Sequence, residues 1–220
     1  MTIQMITVID YGSGNLRSAA KACEHAADNA GINARVVISN KPEDITAATH
    51  LVLPGQGAFQ DCMKGLQSSG LLSALQDAVL SRKTPFLGIC VGMQLLATRG
   101  EEHGTYNGLG WIDGTVTAIA PQDKTLKIPH MGWNDLEITA PHPVLAGINT
   151  GVDMYFVHSY QFQLTKPDAL IARCQYDGPV TAIIAKDNII GTQFHPEKSA
   201  DAGLRLISNF LRWKPTLITT

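Results

Sequence analysis

Thr84-Pro-Phe-Leu-Gly-Ile-Cys90-Val-Gly-Met-Gln94 holds a break, a strand, a turn and the start of a helix in one short run. Thr84-Pro85 interrupts the preceding text. Residues 86–89 form an apolar run of the length and character of a strand buried on both faces. After Cys90 the pattern turns helical. A buried strand delivered straight into a helix is the repeating unit of a parallel sheet, and the same unit recurs upstream. Residues 5–10 are near-continuously apolar, Gly12 and Gly14 make a turn, and 15–30 reads as a helix ending at Gly31. Strands follow at 34–39 and at 50–53, the second stopped by Pro54-Gly55. Helical text runs through 59–67 and 71–81. This βαβαβ rhythm predicts an α/β fold with right-handed crossovers.

After Gly100 the texture changes. Residues 111–119, 127–138, 154–164, 169–175, 180–186 and 189–194 read as short strands punctuated by Gly, Pro and Asn, some of them antiparallel. A last helix at 202–213 closes the chain, and residues 216–220 read as a frayed end. With no internal repeat, linker or low-complexity stretch, residues 1–220 are expected to form a single domain.

The composition narrows the function classes. The 220 residues are 45% hydrophobic and 16% charged, so neither a disordered nor a collagen-like chain fits. A net charge of −2 with a pI near 6.4 argues against a polyanion binder. No uncharged apolar run reaches the ~18 residues a membrane span needs. The start reaches Asp10 without a basic segment, which predicts no signal peptide. A reducing, cytoplasmic setting with free thiols is therefore expected for Cys23, Cys62, Cys90 and Cys174. Their spacing, and that of the seven histidines, fits no zinc site, and no metal or cofactor is expected.

Cys90 is the candidate nucleophile. Gly88-Ile-Cys90-Val-Gly92 is a small-x-nucleophile-x-small pattern between strand and helix, which permits a sharp, strained turn. The turn lifts the sulfur out at the carboxyl edge of the sheet, where open α/β folds bind ligands. It also puts Cys90 at a helix N-terminus, where the thiolate is favoured, with the Val91 N–H aimed at a developing oxyanion. The candidate base is His195, in Gly191-Thr-Gln-Phe-His195-Pro-Glu197-Lys198. If that segment is extended, residues two apart point the same way and Glu197 reaches the imidazole, giving nucleophile, base and orienter. His25, His50, His103 and His142 lack such a partner and read as solvated or packing residues.

Gly-Ile-Cys-Val-Gly-Met-Gln around Cys90 and Gln-Phe-His-Pro-Glu around His195 resemble the class I (triad) glutamine amidotransferases. The segments at 8–18 (VIDYGSGNLRS), 53–59 (LPGQGAF), 128–134 (IPHMGWN), 155–160 (YFVHSY) and 194–199 (FHPEKS) extend the likeness over nearly the whole chain. They narrow it to members that serve histidine biosynthesis. The resemblance implies a flavodoxin-like fold, with a central, mostly parallel sheet flanked by helices and added antiparallel strands in the C-terminal half. It implies hydrolysis of glutamine to glutamate and ammonia by Cys90, His195 and Glu197 through a glutamyl thioester. Gln94, Ser159 and Tyr160 would contact the substrate. Gly55 and Gln56 would join Val91 in the oxyanion hole, through a peptide flip that the flanking glycines make inexpensive; Gln56 stands where the family more often has Val. The partner implied is a (β/α)8-barrel cyclase, in a heterodimer, that uses the ammonia to convert PRFAR to imidazole glycerol phosphate and AICAR. Asn15, Trp133 and Lys198 are the implied interface residues. Two further readings stay open on the residues: an amidotransferase subunit of another synthase, and a cysteine hydrolase on the same scaffold. A docking protein that keeps the fold without the chemistry has no use for an intact triad.

Overall fold

Apolar runs too short for helices pair most economically as buried strands, and the computed structural model, which describes residues 3–215, arranges them that way. The order is β1 (Gln4–Ile9), α1 (Leu16–Asn29), β2 (Ala34–Ser39), α2 (Pro42–Ala47), β3 (His50–Gly55), α3 (Phe59–Ser68), α4 (Leu72–Gln76), β4 (Phe86–Cys90) and α5 (Val91–Gln94). The second half carries β5 (Arg99–Gly100), β6 (Tyr106–Asn107), β7 (Gly114–Ala118), β8 (His130–Asp135), β9 (Glu137–Ile138), β10 (Asp153–His158) and β11 (Tyr160–Leu164). It closes with β12 (Leu170–Gln175), β13 (Pro179–Lys186), β14 (Ile189–Thr192) and α6 (Ala200–Arg212). The expected frayed end at 216–220 lies outside the described residues.

The main sheet has eight strands in the order β2-β1-β3-β4-β14-β13-β12-β9. The first five are parallel, with the strand order of a flavodoxin-like sheet. The last three add on antiparallel. Strands β3 and β4 are buried along their whole length, as their unbroken apolar text requires. Helix α1 turns a face of small residues (Ala19, Ala20, Ala22, Cys23, Ala26 and Ala27) to the core at the i, i+3, i+4 spacing of an amphipathic helix. That face lets α6 come close enough for Ser208 Oγ to donate to the Ala26 carbonyl at 3.0 Å.

Several elements differ from the sequence reading. The helix expected over 71–81 is α4 followed by a wider π turn at Asp77–Ser81. Buried Asn188 draws off the Val79 carbonyl at 2.9 Å, which opens the helical ladder. The strand expected over 154–164 is two strands in two sheets: β10 pairs with β8, and β11 with β7. They part at Ser159, whose carbonyl accepts from Ile119 N at 2.9 Å. The stretch at 127–138 likewise divides into β8 and β9. The strand expected to run to Phe194 stops at Thr192, and Pro196–Lys198 is a 3-10 turn. Helix α2 was not expected.

Candidate active site

Cys90 ends β4 with φ 55° and ψ −113°, a conformation that costs a non-glycine residue about 1–3 kcal/mol. The neighbouring glycines allow it. A Cβ on Gly88 would lie 2.6 Å from the Gly92 carbonyl oxygen, and one on Gly92 would overlap the Leu53 carbonyl. The helix beyond is short, yet it places Val91 and Gln94 on the wall of the cavity that Cys90 faces. Cys90 is 5% exposed.

His195 Nδ1 lies 2.8 Å from Glu197 Oε1, with both side chains buried. The pairing is as expected, but its stated basis fails. Glu197 is brought round by the 3-10 turn that Pro196 starts, not by alternation along a strand. The backbone of His195 is held by its own N–H on the Tyr155 carbonyl at 2.9 Å and by Ser199 Oγ on its carbonyl at 2.7 Å. Burial pushes the imidazole toward neutrality, but Cys90 and Glu197 together outweigh it and lift the group to about 9. Among the described residues the other, buried Glu197 oxygen has no hydrogen-bond partner, and His195 is the one group the carboxylate serves.

Cys90 and His195 line a single cavity of about 260 Å³, together with Gln94, Ser159 and Tyr160. Gln94 is only 3% exposed, and its Nε2 donates to the Tyr160 carbonyl at 3.1 Å and to Gln193 Oε1 at 3.0 Å. Gln193 Nε2 in turn reaches Cys90 Sγ at 3.6 Å. Gln56 is on the wall as well. Its N–H donates to Ser13 Oγ at 3.3 Å and its carbonyl accepts from Ser13 Oγ at 2.7 Å and Cys62 Sγ at 3.3 Å. Gly55 is buried at the end of β3.

Sequence reasoning gave no role to Glu102, Gln193 or His158. Glu102 lines the cavity while its Oε2 accepts from Phe59 N at 2.7 Å, the start of α3. A lone Glu in loop text carries no periodic signal. Gln193 and His158 lay inside quoted motifs, but nothing in spacing ties them to Cys90. Of the histidines read as bland, His25 and His103 are exposed. His50 lies in a strand with its ring edge-on to Phe210, and His142 packs on Trp213.

Asn15 and Lys198 stand at the cavity, and Asn15 also caps α1. Trp133 is 55% exposed with its ring against Tyr155, so it is surface rather than core. Met131, 61% exposed, is on the same strand. Lys198 Nζ sits 5.8 Å from the centre of the Tyr155 ring. Among the described residues no group of three or more His, Cys, Asp and Glu is placed to hold a metal ion.

The family model for class-I glutamine amidotransferase matches residues 7–213. The chain is 57% identical over 212 residues to the imidazole glycerol phosphate synthase subunit HisH of Rhodospirillum rubrum, covering 96% of this chain and 99% of that one. It is 54% identical over 213 residues to the HisH subunit of Cereibacter sphaeroides, covering 96% and 100%. A solved glutamine amidotransferase shares the fold at TM-score 0.68 and 20% identity, covering 94% of this chain and 97% of that one. PurLQS from Thermotoga maritima does so at 0.66 and 16%, covering 95% and 98%. Because more than half of its residues match the HisH subunits across almost their whole length, the chain belongs to the class-I glutamine amidotransferase family, within its HisH branch.

Proposed function

We propose that Cys90, His195 and Glu197 hydrolyse glutamine to glutamate and ammonia within one domain spanning residues 1–220. The observation that carries this reading is the buried His195–Glu197 pair at 2.8 Å, facing the same cavity as a cysteine held at φ 55°. His195 takes the thiol proton and Cys90 Sγ attacks the side-chain amide carbon. The oxyanion that forms is met by the Val91 N–H, which as the first residue of a helix has no intrahelical acceptor, and by the Gly55–Gln56 peptide once it is turned inward. Protonated His195 hands its proton to the leaving nitrogen, so ammonia departs and a glutamyl thioester remains. Water, deprotonated by His195, attacks the thioester carbon, releasing glutamate and restoring the thiol. Ser159, Tyr160 and Gln94 hold the amino-acid end of the substrate, and the Glu102 carboxylate is the acid available to its ammonium.

The ammonia goes to a (β/α)8-barrel cyclase that converts PRFAR to imidazole glycerol phosphate and AICAR, the chain and cyclase forming a heterodimer. Trp133, exposed and set against the Tyr155 ring that the cavity residue Lys198 also approaches, supports a docking face here, since buried aromatics anchor interfaces. Asn15 belongs to the same rim. No described helix is long and apolar enough to cross a membrane, and the histidine-pathway reading makes the location cytoplasmic.

The test is glutamate release from glutamine by the purified chain, alone and then with the cyclase and that partner's ligand. Release that rises strongly in the complex is the expected result. Equal release with and without the cyclase would keep the glutaminase and discard the partner; no release under either condition would discard both.

A further inference from the structure

Two buried histidines that no step above uses stand end to end beside the cavity. His130 opens β8 and His158 closes β10, directly opposite each other in the antiparallel register. His158 Nδ1 is 2.8 Å from the Tyr160 carbonyl. A carbonyl only accepts, so His158 carries its proton on Nδ1 and its Nε2 is an acceptor. His130 Nδ1 lies 2.9 Å from that Nε2 and must donate. His130 Nε2 then accepts from the Asn134 amide at 3.1 Å. The orientation of that amide is fixed as well, because Asn134 Nδ2 donates to the Gln175 carbonyl at 2.9 Å and Asn134 Oδ1 accepts from Asp135 N at 2.9 Å. Every proton in the series Asn134, His130, His158, Tyr160 carbonyl is thereby assigned, and all point the same way.

The series holds only while both rings are neutral. Burial pushes both imidazoles down to about 4. His130 is also clamped between Phe156, stacked at 4.9 Å, and Tyr176 at 4.1 Å. The far end matters most. The Tyr160 carbonyl that His158 engages also receives the Gln94 amide, which continues through Gln193 to Cys90 Sγ. Ser159, between His158 and the Tyr160 it reaches, lines the cavity.

We propose that His130 and His158 are positioning residues for the substrate: they lock the Tyr160 carbonyl, and with it the Ser159–Tyr160 turn and the Gln94 amide, in the arrangement that receives glutamine. This deepens the glutaminase reading and rests on it. The turn is where the chain passes from one sheet to another; Ile119 N holds the Ser159 carbonyl at 2.9 Å, and the His158 ring adds the brace on the Tyr160 carbonyl that faces the site.

The experiment uses the complex of this chain with the cyclase and the cyclase ligand. His130→Phe keeps an aromatic ring between Phe156 and Tyr176 but leaves His158 Nε2 unpaired; His158→Leu removes the brace, and His158→Asn restores one donor toward Tyr160. Expected are a rise in KM for glutamine of about ten- to hundredfold in His130→Phe and His158→Leu with kcat within a few fold, and partial recovery in His158→Asn. Alkylation of Cys90 by iodoacetamide, which needs no glutamine subsite, should change little. Nitrogen-15 NMR of the unmodified chain at neutral pH should show both rings protonated on Nδ1. An unchanged KM in folded variants, or a parallel fall in kcat and alkylation rate, overturns the proposal. So do rings protonated on Nε2, and that spectrum decides even if a variant fails to fold. Absence of glutamate release by the unmodified complex would instead sink the glutaminase reading.

Discussion

Cys90 stands opposite Gly55 in the parallel register of β4 and β3, so the cysteine and the loop after β3 leave the sheet edge at the same level. The close approach depends on glycine. A Cβ on Gly55 would lie 2.5 Å from Gly92 N and 2.8 Å from Val91 Cβ. Gly55→Ala must therefore push the elbow away from the loop. Overpacking of this kind costs about 1–3 kcal/mol, and each kcal/mol lowers Tm by about 2–4 °C in a chain of this size. Glutamate release should fall by about 10²-fold or more, since displacement of a reacting group by an ångström has that effect. Differential scanning calorimetry and an activity assay on one preparation check both; full activity with an unchanged Tm would contradict the packing.

Replacing Glu197 by Gln removes the charge that helps hold a proton on His195. His195 is lifted from 6.5 to about 9, against burial, by Cys90 and Glu197. A histidine raised on folding adds stability that is fully present below 6.5 and is lost as pH climbs through about 9. In Glu197→Gln the His195 titration should move down, and the decline of stability between those limits should flatten. Turnover should drop by about 10²–10⁴-fold, as when the orienting member of a triad is lost. An NMR titration of the ring and melting curves from pH 6 to 10 test both halves.

Cys90→Ala should abolish glutamate release while the complex still makes imidazole glycerol phosphate from added ammonia. It should bring no stability gain from relief of backbone strain, since Ala carries the same φ 55° penalty. Loss of both activities together would make Cys90 a structural residue.

How much of this was legible beforehand follows from range. The parallel half reads cleanly because its central strands β3 and β4 are buried along their whole length and each crossover is local; even the half-exposed edge strand at 34–39 appears where its text puts it, and α1 ends one residue short of the expected bound. The elbow was readable from Gly88 and Gly92, because a close approach leaves its mark on the residue that makes it. Helix α2 was missed in the sequence, although Pro42 stands at its start with Glu43 and Asp44 in its first turn. What did not show was set by partners far along the chain. The π turn after α4 answers to Asn188, more than a hundred residues away. The break at Ser159 reflects two sheets competing for one stretch. Glu197 reaches His195 through a turn that the strand pattern of Gly191 to Phe194 does not announce. Glu102 and Gln193 become site residues only when the fold closes around Cys90.

Glu102→Gln separates two duties of one side chain. Its Oε2 accepts from Phe59 N at 2.7 Å, and the carboxylate lines the cavity. Gln keeps an acceptor for that N–H but loses the charge that would meet an ammonium. KM for glutamine should rise about ten- to hundredfold, with little change in Tm, as for loss of a charge-assisted contact. Glu102→Ala should add a stability loss of about 0.5–2 kcal/mol from the uncapped helix start. Steady-state kinetics and melting curves on the two variants suffice; a KM unchanged in Glu102→Gln would remove Glu102 from the substrate site.

Ser13→Ala addresses the loop itself. Ser13 Oγ donates to the Gln56 carbonyl and receives the Gln56 N–H, while Cys62 Sγ reaches both the same carbonyl and Ser13 Oγ, at 3.3 and 3.2 Å. The Gln56 N–H is thus turned onto Ser13, away from an oxyanion at Cys90. Gly57, at φ 101° with open space around it, lets the peptide turn without a steric barrier. Removing the hydroxyl takes away hydrogen bonds made only in the resting arrangement, each worth about 0.5–1.5 kcal/mol net. The population with the N–H turned inward should grow, and glutamate release by the lone chain should rise about two- to tenfold. Release by the fully activated complex should not rise, because there the inward arrangement already dominates. Paired assays of the lone chain and the complex decide it: a gain in the complex as large as that in the lone chain would mean that Ser13 acts on the chemistry, and no gain in either would mean that it does not restrain the loop.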